Sequence, residues 1–228
     1  MTLEEIREHG YAQIAQGGPA ALSLNGIAKA MGMSGPSMYR YFPSRDELLA
    51  TLVTESYEDL ADTLTDAAEE ARRRAPEGRL RAVLQASRDW ARRFPHRYRL
   101  IFESTHGSGA LEPERTIPAA HRAMTVILAA LADLGPADVA SSVTDTVLAR
   151  QLTAWGNPPG QNRLEPGVLL LGLTAWTRLH GIISLEIEGV FAQMGIDPAR
   201  LYNTEIDHLI ARRTGRAHPA DAAPRRTA

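Results

Sequence analysis

The spacing of apolar residues is the feature that most restricts the fold of this chain. Between residues 44 and 74 one apolar stripe recurs at intervals of three and four residues: Leu49, Val53, Tyr57, Leu60, Leu64 and Ala67. This is the period of an amphipathic α-helix, whereas half-buried strands alternate apolar and polar residues. Because no segment shows sustained alternation between turn residues, we predict an all-α fold.

Capping residues and helix breakers set the predicted bounds of the helices. Thr2 and Glu5 form a capping-box pattern for a first helix over residues 2–16. The candidate N-caps of the next three helices are Ser23, Ser34 and Ser44. We predict that the fourth helix ends near residue 74 and that later helices span 78–94, 95–103, 117–134, 138–155, 165–194 and 198–213. The predicted non-helical segments are the loops 105–114 and 156–163 and a disordered tail at 214–228.

Three short helices lie at the N-terminus, with a tight turn between the second and the third. Gly32 suits a left-handed turn after the second helix, and Pro36 suits the first turn of the third. Pro43 prevents the third helix from continuing, so that helix has about two turns. This is the layout of a helix-turn-helix head, which we predict over residues 1–45, followed by a larger helical bundle over residues 46–213. Similar units occur inside ordinary helical proteins, so the layout alone leaves DNA binding open.

One run of residues in the head is more specific than its layout. It consists of Met31-Gly32-Met33-Ser34, then Met38-Tyr39-Arg40-Tyr41-Phe42, then Ser44-Arg45. The order Met-Gly-Met-Ser, followed by a tyrosine and then a phenylalanine, resembles the TetR family of repressors. The resemblance implies a homodimeric, sequence-specific DNA-binding transcriptional regulator, which is a repressor that a small-molecule ligand releases from its operator.

The resemblance also implies which residues face DNA. They are Ser23, Asn25, Gly35, Pro36, Ser37, Tyr39, Arg40, Tyr41 and Arg45. Tyr39 matches a tyrosine that contacts the sugar–phosphate backbone, and Arg45 matches a basic residue that pairs with a phosphate. Arg40 can bind a guanine with two hydrogen bonds, which discriminates by about 1–3 kcal/mol. It can equally bind a phosphate and carry no sequence information.

The charge of the chain limits its non-specific attraction to DNA. The formal net charge is -2, and the basic residues among the first fifty are only Arg7, Lys29, Arg40 and Arg45. No acidic residue lies between Lys29 and Arg45, so these cations can form a local basic surface. We therefore expect few phosphate contacts and a shallow dependence of DNA affinity on salt.

The C-terminal part carries a second recognisable run. Trp176, His180 and Gly181, together with the segment 94–102, resemble the Trp–His–Gly (WHG) type of C-terminal domain found in one branch of the family. The predicted helix 165–194 is apolar almost all round and must be covered on several sides. The resemblance implies a dimer through the last two helices, with the recognition helices about 34–36 Å apart. The last helix offers for this interface Leu201, Tyr202, Ile206, Leu209 and Ile210.

Aromatic and thioether side chains recur through the larger domain. Those that we predict to line an apolar ligand pocket with a few polar groups are Tyr57, Trp90, Phe94, Tyr98, Phe102, Met124, Trp155, Trp176 and His180. Ordinary core packing is the alternative for each. We expect a ligand to shift the long helix that begins after Ser44 and thereby the spacing of the heads, for which a coupling of about 1–3 kcal/mol suffices.

An enzymatic alternative rests on two Glu-x-x-His pairs. Glu103–His106 and Glu205–His208 have the spacing seen in di-iron carboxylate bundles. Glu186 and Glu188 are the candidate additional carboxylates, but side chains two residues apart point to different sides of a helix. We find no other catalytic pattern, and we predict a protein that is not an enzyme and that has no cofactor and no metal.

The remaining composition restricts the cellular setting. The chain has no cysteine, which excludes a disulfide framework, a thiolate zinc site and an iron–sulfur cluster. The N-terminus lacks a signal-peptide pattern, and the longest apolar run, 168–176, is too short to span a bilayer. We therefore expect a cytoplasmic protein whose partners are double-stranded DNA with a palindromic operator, an unknown small-molecule ligand and a second copy of itself.

Overall fold

The computed structural model describes residues 2–103, 113–135, 143–157 and 163–215. Within these ranges the chain is helical and contains no strand, so the all-α prediction is confirmed. The α-helices are α1 (Leu3–Gly17), α2 (Leu24–Ala30), α3 (Gly35–Tyr41), α4 (Arg45–Glu70), α5 (Pro76–Arg93), α6 (Pro95–Glu103), α7 (Pro113–Ala132), α8 (Thr146–Gly156), α9 (Pro166–Ile187), α10 (Val190–Met194) and α11 (Pro198–Thr214). A short 3₁₀ helix that we did not predict lies between α1 and α2, at Pro19–Ala21.

The N-terminal caps confirm the predicted starts of the first four helices. The Thr2 hydroxyl accepts the Glu5 amide N–H at 3.3 Å, and the Glu5 carboxylate accepts the Thr2 N–H at 2.6 Å, which completes the capping box. A serine hydroxyl accepts the backbone N–H three residues ahead at each of the other predicted caps, which are Ser23, Ser34 and Ser44.

The predicted start of α8 at residue 138 was wrong over 143–145, which are not helical. Asp145 caps the helix instead, and its carboxylate accepts the N–H groups of Val147 at 2.8 Å and Leu148 at 3.1 Å. This cap fixes the first helical residue at Thr146. The rest of the predicted early start, 138–142, lies outside the described residues.

Two predicted helices end earlier than expected. The helix predicted over 165–194 stops at Ile187, because Gly189 adopts a left-handed φ of 72° that breaks the helix before α10. Helix α4 stops at Glu70 rather than near residue 74, and a turn follows. The apolar periodicity did not predict either end, because it carries no information about where the backbone leaves the helical conformation.

The predicted connections are only partly described. Helix α7 begins at Pro113, so the predicted loop 105–114 was wrong at its last two residues, and residues 105–112 lie outside the described part. Residues 158–162 of the other predicted loop also lie outside it. The side chain of Asn157 closes this loop, since it both accepts the Leu164 N–H at 2.7 Å and donates to the Leu164 carbonyl at 3.1 Å. Of the predicted tail, Thr214 ends α11 and residues 216–228 are not described.

The chain divides into two compact units, and neither begins or ends at residue 45 or 46. The predicted boundary between a DNA-binding domain and a sensor domain at 45/46 stays a prediction. The first unit comprises residues 1–63 and 89–124. Its core is apolar and includes the fully buried side chains Ile6, Ile27, Met38, Leu48, Leu49, Leu52, Leu100 and Ile101. Helix α1 contacts both α2 and α6 within this unit. The helix-turn-helix head therefore shares one core with parts of α4 and α6.

The second unit comprises residues 64–88 and 125–228 and is built around α9, which contacts α8, α10 and α11. The chain passes close to α9 at two glycines, since a Cβ added at Gly172 would overlap Leu128 and one at Gly156 would overlap Leu169. Arg88 of α5 makes a bidentate ion pair with Glu186 of α9 at 2.6 and 2.7 Å. Three residues expected at a dimer interface instead pack inside this unit, which corrects that expectation for Tyr202, Ile206 and Leu209.

Helix α9 is poorly covered by the described part of its own chain. An 18-residue window in it has a mean hydropathy of 1.5, and only 33% of that window is buried. The whole helix Pro166–Ile187 is long and apolar enough to cross a membrane. The uninterrupted apolar run considered in the sequence, 168–176, is only a part of this helix and is too short by itself. Core helices of globular proteins pass the same test, so the property is weak evidence for a membrane span.

Candidate nucleic-acid interface

A tight turn joins α2 to α3. Helix α2 ends at Ala30, and Gly32 takes a left-handed φ of 67° in the turn that follows. The Met33 N–H then donates to the Ala28 carbonyl at 2.8 Å, which satisfies a carbonyl at the end of the helix. This geometry turns the chain within three residues and places the Ser34 cap at the start of α3.

Helix α3 has one buried side and one exposed side. Met38 is fully buried and Phe42, its C-cap, is 5% exposed, so both belong to the core of the first unit. Tyr39 is 48% exposed and Tyr41 is 41% exposed, and both Pro36 and Arg40 are exposed. Gly35 and Ser37 are half-buried, and the Ser37 hydroxyl lies 2.8 Å from the Ser34 hydroxyl. Four of the predicted DNA-facing residues thus project from α3 into solvent.

The start of α2 lies beside the start of α3. Ser23 and Asn25 are exposed, and a Cβ on Gly35 would lie 4.0 Å from the Asn25 side-chain oxygen. The backbone N–H of Ser23 donates to the side-chain oxygen of Gln13 on α1 at 2.8 Å. The two helix N-termini therefore form one continuous polar surface, and the α2 end of it is held by α1.

The cations of the head differ in what they contact. The side chains of Lys29 and Arg40 are exposed, and within the described residues neither makes a hydrogen bond or an ion pair. Arg7 pairs with Glu55 of α4. Arg45 donates from Nε to the Leu22 carbonyl at 3.1 Å, and its other two nitrogens donate to the Pro19 carbonyl and to the Asp46 carboxylate. Among the described residues of the head, the unpaired cationic side chains are therefore those of Lys29 and Arg40.

Comparison with known families identifies this head. Residues 2–52 match the family described as bacterial regulatory proteins, tetR family. Residues 80–209 match the family described as tetracyclin repressor-like, C-terminal domain. The chain belongs to the TetR family. The predicted resemblance is thereby confirmed for the family, whereas the Trp–His–Gly subtype stays a prediction.

Relatives of this TetR-family protein are similar over nearly their whole length. The HTH-type transcriptional regulator Rv1816 of Mycobacterium tuberculosis is 32% identical over 215 residues, which cover 91% of this chain and 90% of that protein. The crystal structure of the regulatory protein SCO4313 is 37% identical, with a TM-score of 0.73 over 90% of this chain and 93% of the other. The chain is therefore a DNA-binding transcriptional regulator with a helix-turn-helix, which confirms the predicted class of function.

A more distant structure shows likeness of fold alone. The transcriptional regulator FadR from Bacillus subtilis, solved in complex with stearoyl-CoA, is 15% identical with a TM-score of 0.57. The alignment covers 92% of this chain and 99% of that one. The all-α architecture of the TetR family thus persists where little sequence identity remains.

Three of the predicted ligand residues of this TetR-family protein form an aromatic group in the first unit. The rings of Tyr98 and Phe102 are 4.7 Å apart, and those of Tyr57 and Phe102 meet edge to face at 6.2 Å. The Tyr57 hydroxyl donates to the Ile101 carbonyl at 2.8 Å, which joins α4 to α6. Burial of this hydroxyl raises the pKa of Tyr57 to about 12.

Trp90 and Phe94 form a second group with residues that sequence analysis did not single out. Their rings lie 6.1 Å apart, and the Arg97 guanidinium lies 4.9 Å from the Phe94 ring and 4.2 Å from the Tyr11 ring. Asp59 accepts the Trp90 indole N–H at 2.8 Å and an Arg97 N–H at 3.1 Å. This cluster connects α1, α4, α5 and α6 within the first unit.

Tyr11 is the most informative of the missed residues. Its hydroxyl donates to the Leu52 carbonyl at 3.0 Å and lies 3.1 Å from the buried Ser56 hydroxyl. A signal for it existed, because Tyr11 lies three residues before Ile14 and therefore shares the apolar side of α1. The Asp59 and Arg97 pairing carried no comparable signal, since the two residues are far apart in sequence.

The other predicted ligand residues lie in different surroundings. In the second unit the rings of Trp176 and His180 stack at 5.4 Å with an interplanar angle of 18°. Burial lowers the pKa of His180, which favours the neutral imidazole. Trp155 of α8 and Met124 of α7 are half-buried. The structure thus groups five of the nine predicted residues in the first unit and pairs two in the second.

Two carboxylates of the enzymatic alternative, Glu186 and Glu205, are engaged in ion pairs with arginines. Glu205 pairs with Arg178 at 2.8 Å and lies 3.9 Å from His208, and Glu186 pairs with Arg88. The His106 position and the Glu103 side chain lie outside the described part. Among the side chains that are described, no group of three or more His, Asp or Glu residues is arranged to hold a metal ion. No observation favours metal-dependent chemistry over DNA binding.

Proposed function

We propose that this chain is a cytoplasmic, one-component repressor that binds a palindromic operator as a homodimer and leaves it when a small molecule binds. The observation that carries the proposal is the two-sided helix α3. Its inner residue Met38 is fully buried, while Tyr39 and Arg40 extend outward from a helix that is anchored in the core. A short helix with this division is suited to enter the major groove of a duplex.

The DNA-facing surface is formed by the outer side of α3 and the start of α2. Arg40 has no protein partner within the described residues, so it can donate to a guanine edge or to a phosphate. Tyr39 is the candidate for a backbone contact, and Ser23 and Asn25 extend the surface on α2. Gly35, Pro36, Ser37 and Tyr41 complete the α3 part of the proposed surface. The two unpaired cationic side chains among the described residues of each head agree with a shallow salt dependence.

Dimerisation is supported by the uncovered side of α9. Its exposed or half-buried positions recur at intervals of three and four residues: Leu170, Thr174, Thr177, Gly181 and Ser184. A parallel stripe on α11 comprises Leu201, Thr204, His208 and Ala211. Helices α9 and α11 pack together, and Arg178 and Glu205 form an ion pair between them. Two such helices from each of two copies suit a four-helix interface.

A ligand-responsive domain is supported by the aromatic groups around α6. Tyr57 of α4 is hydrogen-bonded to α6, and Arg97 of α6 reaches Tyr11 of α1. A ligand that displaced the Tyr98 and Phe102 rings would therefore act on α4 and on the head. A difference in ligand affinity of about 1–3 kcal/mol between the two conformations is sufficient for such a switch. The Trp176–His180 pair, with Gly181, supports the Trp–His–Gly subtype of this domain.

The experiment begins with the selection of a duplex by the purified protein from a random-sequence pool. The affinity of the parent and of Arg40→Ala for that duplex is then measured by fluorescence anisotropy. Arg73→Ala is the matched control, because Arg73 is an exposed arginine outside the head. We expect Arg40→Ala to lose about tenfold or more in affinity, as for one bidentate base contact, while Arg73→Ala binds as the parent does.

Two results would contradict the proposal. If the parent enriched no duplex over the starting pool, the chain would not be a sequence-specific regulator. If Arg40→Ala bound as tightly as the parent while the selected sequence still bound specifically, the α3 surface would not be the element in the groove. A thermal-shift screen of small molecules tests the sensor part, and compounds that raise the melting temperature should release the DNA.

A further inference from the structure

Arg45, the first residue of α4, has every nitrogen of its guanidinium in contact with the protein. Nε donates to the Leu22 carbonyl at 3.1 Å, and one Nη donates to the Pro19 carbonyl at 2.5 Å. The other Nη pairs with Asp46 at 3.0 Å. The planar guanidinium thus spans two carbonyls of the α1–α2 connection, a geometry that the single ammonium of lysine cannot reproduce.

The two carbonyls belong to the 3₁₀ helix at Pro19–Ala21 and to its C-cap, Leu22. The Pro19 carbonyl also accepts the Leu22 N–H at 3.3 Å, and carbonyls at the end of a helix carry partial negative charge, so a cation there is favourable. The Leu22 carbonyl immediately precedes Ser23, which caps α2. Arg45 therefore acts on the position at which α2 begins.

A second side chain, that of Gln13, also contacts the start of α2. The Ser23 N–H donates to Gln13 of α1 at 2.8 Å, and a Cβ added to Gly26 would lie 2.8 Å from the Gln13 amide nitrogen. Gln13 of α1 and Arg45 of α4 thus both hold the start of α2. Asn25, in the first turn of α2, lies beside Gly35 of α3. The contacts of Gln13 and Arg45 therefore also fix the part of the surface proposed to face DNA.

We propose that Arg45 is a positioning residue that fixes the start of α2, and that it does not contribute a phosphate contact. The inference rests on the proposed DNA-binding function and departs from the role that family resemblance implied for this position. Three of the five N–H groups of the guanidinium already donate to two backbone carbonyls and the Asp46 carboxylate, and this carboxylate would repel a phosphate at the two groups that are left. The side chains of Lys29 and Arg40, which are exposed and unpaired within the described residues, can reach a phosphate without a carboxylate partner.

The test compares Arg45→Lys with Arg45→Gln, because lysine keeps the charge and loses the two-carbonyl geometry. If Arg45 positions α2, both variants weaken binding to the selected duplex alike, by about tenfold or more for the loss of hydrogen bonds to a charged group. The slope of log affinity against log salt then stays at the parent value. Arg73→Gln is the matched control for removal of an arginine charge outside the head, and we expect it to change neither quantity.

A second readout needs no DNA. The Gly26 and Ile27 N–H groups bond to the Ser23 hydroxyl and carbonyl at 3.1 and 3.0 Å. We expect both Arg45 variants to accelerate amide hydrogen exchange at these two residues. Exchange at Met38 of α3, whose N–H bonds to Ser34, is the internal control and should stay at the parent rate.

The inference is overturned if Arg45→Lys binds as the parent does while Arg45→Gln loses salt slope. A lost phosphate contact reduces that slope by about 0.9, or about 1.8 for a dimer with two such contacts. It is also overturned if neither variant changes exchange at Gly26 and Ile27. If the parent selects no duplex, the proposed function fails, and the exchange result alone then upholds or overturns the positioning role.

Discussion

Tyr11 is the residue at which three helices of the first unit meet. Its ring lies under the Arg97 guanidinium, beside the His96 ring at 6.1 Å, and its hydroxyl reaches the Leu52 carbonyl of α4. A buried hydroxyl that lacked this partner would be costly. The contact therefore fixes α1, and with it the head, relative to the first turns of α4 and to α6.

We predict that Tyr11→Phe lowers the free energy of unfolding by about 1 kcal/mol, the usual net value of one hydrogen bond. The ring and its stacking with Arg97 are kept in this variant, so the loss reports the hydroxyl alone. Urea unfolding measures it. Tyr41→Phe, at a position that is 41% exposed, is the control and should unfold at the parent midpoint. Equal stability of Tyr11→Phe and the parent would exclude a structural role for the hydroxyl.

His96 gives the first unit a pH dependence. Burial, followed by the neighbouring charges of Arg97 and Arg99, lowers the pKa of His96 below its ordinary value of about 6.5. The unfolded chain then binds a proton more readily than the folded chain. Stability must therefore fall as the pH drops through the unfolded-state pKa towards the folded-state value.

We predict that His96→Gln loses less stability than the parent between neutral and mildly acidic pH. Urea unfolding of both proteins across that range measures the difference. Burial also lowers the pKa of His180, so the parent retains part of its dependence in the variant. Parallel stability profiles for the two proteins would show that His96 titrates normally.

At the scale of the elements, glycine spacing decides how α9 packs. Gly172 lies where α7 crosses, and a Cβ there would overlap Leu128. Gly181, on the same helix, has open space beside it within the described chain. The sequence alone does not distinguish these two glycines, because the difference depends on which helix crosses at which residue.

We predict that Gly172→Ala lowers the free energy of unfolding by about 1–3 kcal/mol, as overpacking of a core does. The control is Gly78→Ala on α5, where the added Cβ would lie 3.4 Å from the Arg74 Cβ, an ordinary contact. Alanine there should be neutral or slightly stabilising, because it favours the helix. A Gly172→Ala protein as stable as the parent would show that α7 and α9 do not approach this closely.

The sequence predicted those features of the elements that depend on interactions between residues close together in the chain. Thr2, Ser23, Ser34 and Ser44 were predicted as caps because a cap bonds within three residues of itself. The exposed side of α3 followed from a local pattern together with the family resemblance. The partners of Arg45 and Tyr11 were not predicted, since those contacts span 23 and 41 residues or more.

At the scale of the whole molecule, the proposed dimer depends on the uncovered side of α9. We predict that Gly181→Leu raises the dissociation constant of the dimer by about tenfold or more, because in the proposed interface a large side chain there would push the α9 helices of the two copies apart. Analytical ultracentrifugation measures the constant. Ala129→Leu, at an exposed position on α7, is the matched control and should dimerise as the parent does. If both variants dimerised normally, the interface would have to lie elsewhere.

The central claim is that two copies of the α2–α3 surface bind successive grooves of one duplex. Hydroxyl-radical footprinting on the selected duplex tests it most directly. The account predicts two protected patches related by a dyad and about 34–36 Å apart, one turn of the helix, and both should weaken together in Arg40→Ala. A single protected patch, or two patches that Arg40→Ala leaves unchanged, would contradict it.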